Sequence, residues 1–295
     1  MIDSEILSQV RNIHLRMRGL VTDLLAGGYT SVFKGSGIEF EEVREFTEGD
    51  DIRSVDWNVT ARTGKPHVKK FVEERELTIL FLMDVTKSLL YGTRERSPRE
   101  KAAELCACIA LAALRSNDKV GVLFSGKGAQ KYVPARKGAT HVLRVVREIL
   151  AYPAVKKGEG IRESLEFLGR VLRRRAIVFI VSDFFFDLLA ISDTLKRFAR
   201  RHDVIGAHLL DPVEIDLPNI GIIELQDAET GRRILVDTSS KKVRDEWKRK
   251  GLERIDRVKE FLSKANVDRM LVRLDEPVSI PLLKLFRERE RRRSG

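Results

Sequence analysis

The chain has 295 residues, 43% hydrophobic and 34% charged, with a formal net charge of +11. This length and balance describe a large globular domain, or one with an appendage, that buries about 75% of its unfolded surface without disulfide staples. No apolar run reaches the ~18 residues of a membrane span and Met1–Ser8 lacks a signal-peptide core, so a cytoplasmic protein is expected.

The chain opens on apolar residues at helical spacing, Ile6, Val10, Ile13, Leu20 and Leu24, which predict a helix over Ile2–Leu25 closed by Gly27-Gly28. From Tyr29 to Lys70 the sequence is polar and rich in turn residues. It predicts loops, short strands and a hairpin, anchored by Phe33, Phe40, Phe46, Trp57 and Phe71. A strand–helix alternation begins at Leu77. Strands are predicted at Leu77–Met83, Val120–Phe124, Ile177–Val181, Val204–Leu210 and Met270–Leu274. Helices are predicted at Arg99–Arg115 (with Ser97-Pro98 at its start), His141–Leu150, Ile161–Leu172, Leu188–Arg200, Lys241–Lys264 and Leu282–Glu290. A short hairpin turning at Thr230-Gly231 falls within Val213–Asp237. Strands alternating with helices mean an α/β fold with a doubly wound, mainly parallel sheet.

Cys106 and Cys108 lie two residues apart on a predicted helix, pointing about 200° away from each other, and read as small buried hydrophobes. The five histidines show no metal-ligand spacing. The positive charge is spread over many segments. Its densest stretches, Arg170–Arg175 and Arg287–Arg293, read as a helix C-terminus and a solvated helix.

The chemistry concentrates at strand ends. Leu77–Met83 runs into Asp84-Val85-Thr86-Lys87-Ser88, a carboxylate and two hydroxyls at alternating positions. These are hard oxygen ligands suited to Mg²⁺ with retained waters. Ile177–Val181 likewise runs into Ser182-Asp183. In a doubly wound sheet two such ends adjoin at the switch point, where their carboxylates repel unless a cation or water lies between them.

Asp84-x-Thr86-x-Ser88 with Asp183 resembles the metal-ion-dependent adhesion site of von Willebrand factor A-type domains. An upstream block is more specific. Lys34-Gly35-Ser36-Gly37-Ile38-Glu39-Phe40, Arg44-Glu45-Phe46, Gly49-Asp50-Asp51-Ile52-Arg53, Val55-Asp56-Trp57 and Ala61-Arg62 are similar to the pattern of the bacterial family called domain of unknown function 58, in which they precede an A-type domain. The resemblance covers about residues 20 to 210. It implies an N-terminal helix and patterned segment over 1–74, an A-type α/β core over 75–212, and a hairpin, long helix and C-terminal extension of the same domain over 213–295. It also implies an Mg²⁺ site of Asp84, Thr86, Ser88 and Asp183, with Glu159 near the place of the threonine that A-type domains use.

What the resemblance implies functionally is a binding module that takes a partner's carboxylate on the metal. Members of the family are associated with MoxR-type AAA+ ATPases in assembling or maturing other proteins. Two alternatives come from other classes. A phosphatase-like hydrolase using Asp84 needs a second aspartate two residues on, where Thr86 stands, so no enzyme is expected. Nucleic-acid binding rests on net charge alone. Arg44, Asp50, Asp51, Arg53, Asp56, Trp57 and Arg62 have two readings: an ion-pair network that braces an irregular segment with Trp57 packed on the sheet, or a contact surface for a partner.

Overall fold

The computed structural model describes residues 39–47, 50–72, 76–93, 97–155, 160–226 and 230–294. The helix expected over Ile2–Leu25 lies outside them. The chain divides into two compact units, residues 33–77 and the rest.

The small unit is built on an antiparallel pair, β1 (Glu39–Glu45) and β2 (His67–Val72), as the expected hairpin. The connection holds a 3₁₀ turn at Ile52–Ser54 and a short helix, α1 (Trp57–Thr63), that periodicity did not reveal. Seven residues are too few to show a helical period. The signals present are caps: Asp56 accepts from the Asn58 and Val59 amides, and Gly64 closes α1 at φ 72°. Trp57 is not the packed anchor expected. It is 68% exposed.

The large unit is a six-stranded sheet. Its strands are β3 (Thr78–Asp84), β4 (Lys119–Gly126), β5 (Gly128–Arg136), β6 (Ile177–Ser182), β7 (Asp203–Leu210) and β10 (Asp268–Arg273), in the order β10-β7-β6-β3-β4-β5. Every neighbour pair is parallel except β4–β5. The chain winds outward from β3 to β5, returns to place β6 on the other side of β3, and winds outward again to β10. The switch point therefore lies between β3 and β6, flanked by the two strands whose ends carry aspartate.

β3 and β6 are buried almost throughout, which their unbroken apolar runs require. One face packs against α4 (Ile161–Val171), α5 (Leu188–Arg201) and α6 (Lys241–Lys264), through Leu165, Leu195 and Leu262 against Leu80, Leu82 and Ile180. The other face carries α2 (Pro98–Arg115) and α3 (Ala139–Ala151). Alanines and Cys106 and Cys108, both free thiols, bury α2 nearly all round. Ser97 and Glu100 cap its start reciprocally, with Pro98 at the first turn.

Among the described residues the expected strands and helices are present with end shifts of a few residues. β5 was not expected. It is an edge strand of mostly exposed residues that contains Pro134, so it lacks the apolar run that announces a central strand. Gly121 opposite it has no room for a side chain: a Cβ there would lie 2.7 Å from the Ala135 nitrogen and the Val133 carbonyl. A separate hairpin, β8 (Ile222–Gln226) and β9 (Arg233–Asp237), precedes α6.

The last helix, α7 (Ser279–Ser294), corrects the expectation of a fully solvated arginine tail. Arg289, 10% exposed, bridges Asp203 at the start of β7 (2.7 Å) and Asp268 at the start of β10 (2.7 Å). A carboxylate pair at adjacent parallel strand starts is held by one guanidinium, which is suited to two-pronged contact.

Candidate functional site

Met83 and Val181 are the last residues paired between β3 and β6, and Asp84 and Ser182 come next, closing the two strands. Both are buried. The Asp84 carboxylate is held at each oxygen: Oδ1 accepts from the Thr86 amide at 2.9 Å, and Oδ2 from the Ser182 hydroxyl at 2.6 Å. Burial first, and the neighbouring charge of Asp183 second, push the Asp84 carboxyl well above the usual carboxylate range. The two acids stand at the same end of neighbouring strands, near enough for their charges to interact.

The hydroxyls are positioned by the chain that follows β3. Thr86 bridges to Val155, whose amide donates to the Val85 carbonyl at 2.9 Å. A 3₁₀ turn at Lys87–Leu90 then brings the Ser88 hydroxyl to 3.0 Å from that of Thr86. Further on, Thr93 is captured by Asp211 at the end of β7, which accepts from its amide and its hydroxyl at 2.7 Å each.

The loop after β6 is tightly determined. Phe184, buried and aromatic, sits at φ 57°, a left-handed conformation unusual for a bulky residue. Its amide donates to Ser182 Oγ at 3.0 Å, and the next amide, of Phe185, donates to Asp183 Oδ1 at 3.1 Å. Its ring packs edge-on against His208. Ser182 thus couples the two acidic loops. Arg254 of α6 lies over the exposed Phe185 ring at 3.8 Å and pairs with Glu214. An open hollow lined by Phe185, Glu214, Trp247 and Gly251 runs beside it.

Asp84, Thr86, Ser88 and Asp183 are brought to one end of the sheet, and Glu159 lies outside the described residues. The donor chemistry fits Mg²⁺: all ligands are oxygens, and a carboxylate that accepts from the Thr86 amide and the Ser182 hydroxyl keeps lone pairs to spare. A cation would also relieve the repulsion between two buried carboxylates. Among the described residues no group of three or more His, Cys, Asp or Glu is placed to hold a metal, so hydroxyls have to complete any set here.

The upstream block separates into two kinds of residue. Arg44 grips Asp50 with both guanidinium nitrogens at 2.8 and 2.6 Å, and Asp50 also accepts from the Thr47 amide. The Arg44 hydrogen bond and the Thr47 amide hold the Asp50 carboxyl down at about 2. Asp51 caps the 3₁₀ turn and Asp56 caps α1. Arg53, Trp57 and Arg62 are exposed.

Sequence reasoning missed Ser182 and Asp211 as site residues. Ser182 carried a signal, a hydroxyl adjoining the second strand-end acid. Asp211 carried the same signal as Asp84, an apolar strand running into a carboxylate. Ser182→Ala is expected to strip a donor from buried Asp84 and an acceptor from the Phe184 amide, costing about 1–3 kcal/mol in urea unfolding.

The pattern described in the family collections as "Protein of unknown function DUF58" matches residues 42–256. Uncharacterized proteins of Mycobacterium bovis and Mycobacterium tuberculosis are each 32% identical over 251 residues, 84% of this chain and 78% of theirs. Among solved structures, an aerotolerance-related membrane protein of Bacteroides fragilis is similar at 15% identity and TM-score 0.48, covering 73% of this chain and 99% of its own. The conserved hypothetical protein BatB of Bacteroides thetaiotaomicron is similar at 16% and 0.46, with the same coverage of 73% and 99%.

Proposed function

The chain belongs to the DUF58 family, and from that premise we propose that it is a non-enzymatic adaptor that binds a protein partner through a divalent-cation site at the switch point of its sheet. The observation that carries the proposal is two buried strand-end carboxylates on neighbouring strands, their charges disfavouring each other, with the paired hydroxyls of Thr86 and Ser88 on the loop that follows Asp84. A bound Mg²⁺ would supply positive charge and an open coordination position, with Asp84, Thr86, Ser88 and Asp183 holding it directly or through water. The chain's own part is orientation. Ser182 and the Thr86 amide aim Asp84, the 3₁₀ turn sets Ser88 beside Thr86, and the Phe185 amide fixes Asp183. The complementary ligand is a carboxylate of the partner.

The partner in this proposal is a MoxR-type AAA+ ATPase or that ATPase's client, met in the cytoplasm. Support comes from the family resemblance, and among the described residues no helix is long and apolar enough to cross a membrane. Two features support the non-enzymatic part. Thr86 stands where a phosphatase-like mechanism needs a second aspartate. Burial pushes the Cys106 and Cys108 thiols up, away from the thiolate a nucleophile requires.

The test is capture from the native lysate with Mg²⁺ or with chelator, followed by rebuilding of the complex from purified components. Capture is expected to need Mg²⁺ and to be lost in Asp84→Ala. Capture indifferent to both would overturn the metal-site reading. Turnover of a phosphate ester that disappears in Asp84→Asn would overturn the non-enzymatic one.

A further inference from the structure

In the small unit the structural work and the display are done by different side chains. Asp50 is consumed by Arg44 and Thr47, Asp51 by the amide of Arg53, and Asp56 by the first turn of α1. The Asp56 amide donates to the His67 carbonyl at 2.8 Å, and the His67 amide donates to the Thr60 hydroxyl at 3.1 Å, tying α1 to β2. These bonds fix the backbone that carries Ile52, Arg53 and Trp57. Those three side chains take no part in the bracing. Ile52 is 69% exposed and Trp57 68%. Among the described residues neither Arg53 nor Arg62 has an ion-pair partner, because the carboxylates beside them are engaged as caps. A large apolar group held in water on a rigid scaffold, beside an unpaired guanidinium group, has the composition of an interface hot spot. Its ordering cost is met in folding rather than in binding.

We infer that Ile52, Arg53 and Trp57 form a docking face for a protein whose surface offers an apolar pocket edged by carboxylates. The charge complement of the exposed Arg53 is acidic. A nucleic-acid backbone is the poorer match, because it offers phosphates to an arginine but no apolar pocket to the exposed Ile52 and Trp57. This rests on the reading of the chain as a partner-binding protein and gives that partner a second contact, apart from the sheet-end site.

The experiment replaces Trp57 with the photo-crosslinking residue p-benzoyl-phenylalanine in the full chain, in its native host, and maps the crosslinked peptide by mass spectrometry. The expected result is one protein, crosslinked at a segment bearing Asp or Glu beside apolar residues. The purified partner should then bind Trp57→Ala at least 10-fold more weakly, and Arg53→Glu similarly, with affinity falling as salt rises. Circular dichroism should show both variants folded, since neither side chain is buried. Crosslinks confined to the chain itself, to a second copy or to nucleic acid would overturn the proposal, as would unchanged affinity in both variants. The same crosslink in Asp84→Ala separates the two readings: its persistence leaves the docking face standing while the metal site fails. Loss of capture in Asp84→Ala, with no foreign crosslink at position 57 in the wild type, does the reverse.

Discussion

Asp84→Asn is expected to raise the melting temperature of the protein in chelator and to abolish the rise that Mg²⁺ brings to the wild type. The Asp84 carboxylate is buried, and its burial together with the nearby charge of Asp183 disfavours its ionised form. An amide of the same shape keeps an acceptor for the Thr86 amide and places a donor near Ser182, while removing the charge. The sign follows from linkage. A carboxyl whose folded pKa lies above its unfolded value contributes stability at low pH that is lost as pH rises through the folded value. Metal-free wild type therefore loses this stability as pH rises from about 4 to about 7, and the Asn variant does not. Removing a buried, repelled carboxylate is worth on the order of 2–4 kcal/mol at pH 8, or roughly 5 °C or more in a protein of this size. Scanning calorimetry with and without Mg²⁺ checks it. An equal Mg²⁺-dependent rise in both proteins would place the cation elsewhere.

Between pH 7.5 and 4, acid is expected to destabilise this protein through two histidines. His208 on β7 is wholly buried, and among the described residues neither of its ring nitrogens has a hydrogen-bond partner. Burial first, then Arg254 and Arg269, push it down to about 3. His202 is pushed down to about 4 by burial, Arg201 and Arg175, and its Nδ1 accepts from the Ala176 amide at 3.3 Å, a bond that protonation there removes. Below the ordinary histidine value of about 6.5 the unfolded chain binds protons that the fold refuses, so stability falls as pH falls. For His208 the loss is about 1.4 kcal/mol for each pH unit between 6.5 and the folded value, roughly 3 kcal/mol by pH 4. His202 adds in the same direction. Asp84 opposes them, because acid neutralises it, so the titration is cleanest in Asp84→Asn. Urea midpoints from pH 7.5 to 4 should fall steeply there, and His208→Leu should flatten the slope. An unchanged slope in that variant would remove His208 from the account.

The parts of this fold that sequence reading reached are those where local pattern and long-range packing agree. The run before Asp84 is apolar because β3 is buried on both faces, and Lys241–Lys264 shows a helical period because one stripe of α6, through Ile255, Val258 and Leu262, meets the core. The site was legible to the extent that acids close strands: Asp84 and Asp183 announced themselves. β5 was silent because an edge strand has little to bury. Arg289 read as solvated because nothing local tells that Asp203 and Asp268 lie within its reach. The left-handed Phe184 was invisible for the same reason: no glycine or asparagine advertises it, and its conformation is imposed by Ser182 and the packing of its ring.

The hydrogen bond from Ser182 to Asp84 spans 98 positions of chain. Between those two residues the polypeptide lays down β4 and β5 on one flank of β3 and only then returns to fill the other. A chain that has folded through β5 holds Asp84, Thr86 and Ser88 but has nothing to set opposite them. The site is therefore a late, high-contact-order product, and loop closure has to be overcome before any of its chemistry exists. Whatever binds there also reports that folding is complete: it finds the acid pair only in molecules whose two half-sheets have joined.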